Sequence, residues 1–202
     1  MNVTGYFSYK GITIQQHIDV TNPFRNLFLT TKPSQVIEIG TSYGGLTLLL
    51  RDLLDELGME DTKLITYDKD KFHFLDHHIE NGKKIDSRIK NIFNHMYNEI
   101  SEYDEINDLI NLSGNTIVLC DGGYKKAEFR LLSKLIKVGD VIMGHDYSPN
   151  KEYFEEKINN KIWNWLELTD DDISESCIQN NLSPFMDEEF KKVVWVCKIK
   201  ES

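Results

Sequence analysis

The stretch VIEIGTSYGG at 36–45 ends an alternating apolar and acidic run in a loop holding three glycines, Gly40, Gly44 and Gly45. Backbone without Cβ atoms can take positive φ and lets a ligand press against it. A second apolar run, KLITYD, ends in Asp68. A carboxylate so placed can accept hydrogen bonds from the two hydroxyls of a ribose. The loop and the acid together describe a pocket for an adenosine-type ligand. Asn94, Asp121 and the neighbours His145 and Asp146 end three further apolar runs, and they become site candidates if those runs share one sheet.

The pattern supplies that sheet. Segments 35–40, 63–68, 88–94, 116–121 and 140–144 read as strands, and TIVLCD has the near-continuous apolar character of a strand buried on both faces. Helical spacing separates them: LTLLLRDLLDEL from Leu46 with Gly58 as a stop, then 72–79, 99–111 and 126–137. Five strand–helix alternations predict an α/β fold, a doubly wound and mostly parallel sheet. Segments 162–168 and 193–199 lack an intervening crossover helix of the usual length and are expected as a C-terminal antiparallel strand pair, which brings the sheet to seven strands. Ligands in such sheets sit at the carboxyl ends of the strands, beside the point where strand order reverses. An acid or a His-Asp pair at four of these ends is more than assorted turn residues explain.

Bulk properties narrow the class. The 202 residues suit one domain with a proper core, read as an N-terminal cap segment (1–34), a ligand-binding core (35–147) and C-terminal strands (148–202). A formal net charge of −10 argues against neutralising nucleic-acid phosphates or anionic lipid. No signal-peptide pattern stands at the N-terminus and no apolar run approaches the roughly 18 residues that span a bilayer. Cys120, Cys177 and Cys197 are scattered and odd in number. The expectation is a cytoplasmic protein without disulfides.

The dinucleotide fingerprint Gly-x-Gly-x-x-Gly is not met, because Ser42 stands where its second glycine belongs. The spacing present, Glu-x-Gly-x-x-x-Gly-Gly, resembles the first motif of S-adenosylmethionine-dependent methyltransferases with a Rossmann-like fold. IVLCDGGYKKAEF and LIKVGDVIMGHDY, with the earlier YKGITIQQHIDV, are similar to the cephalosporin hydroxylase-like and macrolide-sugar O-methyltransferase group. The resemblance runs from about Tyr9 to Tyr147. It implies S-adenosylmethionine bound by Glu38, Gly40, Thr41, Ser42, Gly44, Gly45, Asp68, Asn94 and Asp121, with the loop around the methionine part and Asp68 on the ribose.

The same resemblance implies a divalent ion, Mg²⁺ or another, that lowers the pKa of a substrate hydroxyl. Asp121 and Asp146 match its ligand positions. His145 replaces a carboxylate there and moves the preference towards Zn, Mn or Fe. His145 has a second reading as general base, with an ordinary pKa of about 6.5. Metal-dependent relatives use a lysine three residues after the first metal acid; Tyr124 holds that offset and Lys125 follows it, so Lys125 is the other candidate base. Alternatively His145 and Asp146 only cap a turn before Pro149.

Other residues carry plainer readings. His73 and His77 have a zinc-compatible i, i+4 spacing but lack the glutamate of HExxH, so they belong to a polar helix face. Trp163, Trp165 and Trp195 read as packing residues. Asp170–Asp172 mark a helix N-terminus. The function expected is methyl transfer to an oxygen of a small molecule or sugar. Its rivals are a non-catalytic cofactor-binding protein of the same fold and a nucleic-acid methyltransferase. Asp-Gly-Gly-Tyr stands where base-methylating members carry an Asn/Asp-Pro-Pro-aromatic motif. Homo-oligomerisation is left open.

Overall fold

The computed structural model describes residues 5–68, 89–92 and 100–202. A short antiparallel hairpin, β1 (Phe7–Tyr9) and β2 (Ile12–Ile14), comes first. It is followed by α1 (Thr21–Thr31), β3 (Gln35–Ile39), α2 (Gly45–Glu56), β4 (Lys63–Tyr67), β5 (Ile89–Ile92) and α3 (Ile100–Ile110). Then come β6 (Thr116–Cys120), α4 (Lys125–Leu132), β7 (Val141–Gly144), α5 (Asp170–Gln179), β8 (Leu182–Pro184) and β9 (Val196–Lys200).

The main sheet has the order β5-β4-β3-β6-β7-β9-β8. The five strands from β5 to β7 pair in parallel, β9 runs antiparallel to β7, and β8 antiparallel to β9. Strand order reverses between β3 and β6, so the crevice that ligands favour opens above Ile39 and Cys120. Period-two alternation explains why β6 and β7 are apolar at nearly every position: each face has its own core. Val36, Leu64, Ile117 and Met143 pack under α1 and α2, while Ile37, Ile65, Val118 and Ile142 pack under α3, α4 and α5.

Two expectations are corrected. Segment 162–168 forms no ladder strand; its Trp163 turns inward, 2% exposed, and its sheet-type pairing is confined to the single bridges of Trp163 to Asn159 and Leu168 to Tyr147. The partner of β9 is Leu182–Pro184 instead, a run too short and too polar to announce itself. The amphipathic run 126–137 forms helix only from Lys125 to Leu132, and Ser133 caps it. The helix expected at 72–79, with His73 and His77, lies outside the described residues, as does Asn94.

Candidate active site

The glycine loop leaves β3 in an unusual backbone path. Gly40 has φ of +99°, and a Cβ there would lie 2.3 Å from the Asp121 carbonyl oxygen. Only glycine permits β3 and β6 to leave the sheet this close together. Asp121 N–H donates to the Ile39 carbonyl at 2.9 Å, continuing the pairing to the lip of the crevice. Ser42 takes a left-handed φ of +48°, and its N–H donates to Asp68 Oδ2 at 2.7 Å. Gly45, the first residue of α2, is pressed against the hairpin, where a Cβ would meet the Thr13 carbonyl oxygen at 2.3 Å.

A cleft of about 310 Å³ lies over this loop, at the small end of the ~300–1,000 Å³ typical of ligand pockets. Gly40, Thr41, Ser42, Gly44 and Gly45 form its floor and Asp121, Lys125, His145 and Asp146 one wall. Tyr6, Trp163 and Trp165 close the far side, with Tyr6 and Trp165 in edge contact at 5.9 Å.

Glu38, expected among the cofactor contacts, is absent from that lining. Its side chain points beneath the loop and is fully buried, where the Thr47 hydroxyl donates to Oε2 at 2.5 Å. Burial pushes its carboxyl up to about 8, against the hydrogen bonds from Thr47 and Thr66. Burial thus favours the neutral acid, and Glu38 braces α2 beneath the loop through Thr47. A strand's strict alternation carries this message: Ile37 and Ile39 face one core, so Glu38 must face the other. Asp68 lies at the loop's edge and also falls outside the cleft lining.

The wall residues form one electrostatic unit. Single ligand atoms of Asp121, His145 and Asp146 lie within 4.8 Å of one another. His145 Nδ1 is 2.9 Å from Asp121 Oδ1 and 3.5 Å from Asp146 Oδ1. Burial lowers the affinity of this imidazole for a proton, but the two carboxylates outweigh it and raise the pKa above the ordinary value. Its Nε2 is buried with no hydrogen-bond partner among the described residues, and the ring sits between Trp163 and Trp195 at 5.1 and 4.8 Å. Asp146 has a left-handed φ of +55° and accepts from Trp163 Nε1 at 2.5 Å. Such a conformation in a residue other than glycine persists only where its surroundings fix it, and this one turns the carboxylate into the cleft.

Lys125 is 6% exposed, and its ammonium lies 2.9 Å from Asp146 Oδ2, 3.3 Å from Glu167 Oε2 and 3.0 Å from the Gly122 carbonyl. Burial disfavours the charge, yet Asp121, Asp146 and Glu167 overcome that and hold the group above the usual lysine range. Three acceptors lie within 3.3 Å of its nitrogen, as many as an ammonium has hydrogens. Lys125, expected as a candidate base, stands here as an ammonium held by two carboxylates and a carbonyl.

Sequence reasoning passed over four contributors. Trp163 and Trp195, read as packing residues, each donate an indole N–H into the site, to Asp146 and Gln16. Glu167 was embedded in an expected strand. Gln16 lay inside the quoted YKGITIQQHIDV with nothing to set it apart from Gln15. Tryptophan's single donor must find an acceptor when buried, and that is the one signal that pointed past packing.

A glycine cradle at the switch point facing a carboxylate–imidazole wall defines the class: a Rossmann-like methyltransferase. The model of the rhamnosyl O-methyltransferase/CmcI family matches residues 1–168. The chain belongs to that family and is by family an O-methyltransferase enzyme. Among solved structures, apo CmcI aligns with a TM-score of 0.65 at 13% identity, covering 97% of this chain and 76% of CmcI. CmcI with Mg-SAM gives 0.62 at 15% identity, over 96% and 76%. The O-methyltransferase TomG from Streptomyces achromogenes, in complex with SAM, gives 0.52 at 10% identity, over 91% and 80%. At these identities the likeness is one of fold. No curated protein matches the chain.

Proposed function

We propose that this cleft binds S-adenosylmethionine over the glycine loop and transfers its methyl group to a hydroxyl of a small molecule, a sugar or phenol. The carrying observation is the convergence of Asp121, His145 and Asp146 within 4.8 Å on the wall beside the Gly40–Asp121 approach. The relatives' bound ligands, SAH and Mg-SAM in CmcI, support the same choice of cofactor. Asp68, at the carboxyl end of β4 and next to the loop, is the acceptor for the ribose hydroxyls.

In the reaction the acceptor oxygen attacks the sulfonium methyl carbon, the C–S bond breaks, and the neutral thioether leaves. The hydroxyl proton must go elsewhere, and alignment is the rest of the task. His145, paired with Asp121, is the proton-accepting group the wall offers: Nδ1, 2.9 Å from Asp121 Oδ1, already carries the hydrogen that this carboxylate accepts, so an incoming proton goes to Nε2. Trp165 and Tyr6, 41% and 46% exposed at the rim, offer flat apolar faces for the acceptor.

The wall also fits a divalent cation: two carboxylates and an imidazole, buried or nearly so, with donor atoms close enough to share one ion. Asp121, His145 and Asp146 would hold it, and the imidazole favours Mn²⁺, Fe²⁺ or Zn²⁺ over Mg²⁺. Bound there, it would lower the pKa of the acceptor hydroxyl. Calorimetry with S-adenosylmethionine, and a panel of sugars and phenols assayed for methyl transfer with EDTA or added Mn²⁺, tests the reading. Absence of cofactor binding would end it.

Among the described residues no helix is long and apolar enough to cross a membrane. The net charge of −10 supports a small-molecule acceptor over nucleic acid, and an intracellular location is part of the proposal.

A further inference from the structure

Gln16 is 2% exposed and follows the N-terminal hairpin. The direction of its amide is settled by chemistry. Trp195 Nε1 can only donate, and it lies 2.8 Å from Gln16 Oε1. The NH₂ end must therefore face the other way, where Asp121 Oδ2 accepts from it at 2.6 Å and His145 Nδ1 lies 3.5 Å off. A carboxylate with a partner at each oxygen is restrained from turning. Asp121 Oδ1 is thus the oxygen left facing His145, at 2.9 Å, and the cleft.

We infer that Gln16 is a positioning residue of the reaction centre, acting through Asp121. It fixes which carboxylate oxygen is presented to the wall, and Trp195 in turn fixes Gln16. The relay joins three distant parts of the chain: the segment after β2, the end of β6 and the residue before β9. Its neighbour Gln15 accepts the Ser42 hydroxyl at 2.7 Å, so consecutive residues of one segment touch the cofactor loop and the acid wall. A divalent ion at Asp121, His145 and Asp146 would meet a carboxylate already oriented, and partners of this kind usually change metal affinity or activity by about 10–100-fold when removed.

This inference rests on the functional reading above, and the test separates the two. Mn²⁺ dissociation constants, from the electron paramagnetic resonance of the free ion, are measured for the wild type, Gln16→Leu, Trp195→Phe and the double variant. Melting temperatures of the metal-free proteins and calorimetry with S-adenosylmethionine accompany them. The expected result is Mn²⁺ binding weakened roughly 10–100-fold in Gln16→Leu and less in Trp195→Phe. The double variant should be no weaker than Gln16→Leu. A residue with only a structural role would lower the melting temperature and leave the Mn²⁺ constant alone, which overturns the inference. Additive losses in the double variant remove Trp195 from the relay and overturn it too. A wild type that binds no Mn²⁺ also refutes it, even if cofactor binding and methyl transfer stand. A wild type that binds Mn²⁺ but not S-adenosylmethionine leaves the Gln16 result readable while refuting the functional reading.

Discussion

The ammonium of Lys125 lies 2.9 Å from Asp146 Oδ2, inside the same wall whose acids and imidazole suit a divalent ion. Asp121 Oδ1 is 3.7 Å from that ammonium. A lysine and a metal ion would therefore share one set of carboxylates at separations where like charges repel strongly. Lys125→Met should tighten Mn²⁺ binding by roughly tenfold or more. Equilibrium dialysis checks this, and unchanged or weaker binding would show that the ammonium is no competitor.

Glu38 makes stability depend on pH in the direction opposite to most carboxylates. Its folded-state pKa is about 8 against an ordinary 4.5. Below the ordinary value both folded and unfolded chains carry the proton and nothing is lost. Between about 4.5 and 8 the unfolded chain ionises first, so folding stability falls as pH rises, and it levels once the folded group ionises too. Glu38→Gln removes the ionisation and should flatten this slope, gaining on the order of 1–3 kcal/mol at pH 7. Urea denaturation from pH 4 to 8 measures it; a variant whose slope matches the wild type contradicts the assignment.

The Gly40 contact predicts a sharp contrast between two glycines. Gly40→Ala must move the Asp121 carbonyl and adopt a φ that alanine resists, costing about 2 kcal/mol or more. Gly123→Ala meets nothing within 4 Å at ordinary φ and should be nearly silent, within about 0.5 kcal/mol. Thermal melts and cofactor titration of both variants decide the matter.

For Asp68, the ribose reading predicts that Asp68→Ala weakens S-adenosylmethionine binding by about 2–4 kcal/mol, the worth of two charge-assisted hydrogen bonds less what water restores. Part of that loss comes through the Ser42 N–H, which Asp68 now accepts. A cofactor lacking the ribose hydroxyls separates the parts: the variant and wild type should differ far less towards it. An equal difference would place Asp68 as a loop anchor alone.

The five parallel strands and the glycine loop were legible because both rest on local rules, apolar periodicity and the need for residues without Cβ. Asp121, His145 and Asp146 were legible for a related reason: parallel strands bring their carboxyl ends together wherever they sit in sequence. Glu38 lies outside the cleft lining because strand alternation turns it to the other core, which motif matching alone does not reveal. Trp163 was assigned to a strand because alternation with polar neighbours looks the same in a strand and in a loop that buries one ring. Gln16 was not singled out, and Lys125 was read as a candidate base and not as a cation tied to the acids. Their roles come from partners 105 and 179 positions away for Gln16, and for Lys125 from Glu167 on a loop 42 positions on. Long-range pairing of this kind leaves no local trace.

All three tryptophans of the chain gather at this one place. His145 lies between Trp163 and Trp195, and Trp165 is 5.2 Å from Trp163. The protein therefore carries its own optical reporter. Indole emission and near-ultraviolet dichroism arise from rings that touch the imidazole, the acid wall and the rim, so protonation of His145 or arrival of an acceptor alters the signal without any label. Tyrosine aside, there is no remote indole to dilute it.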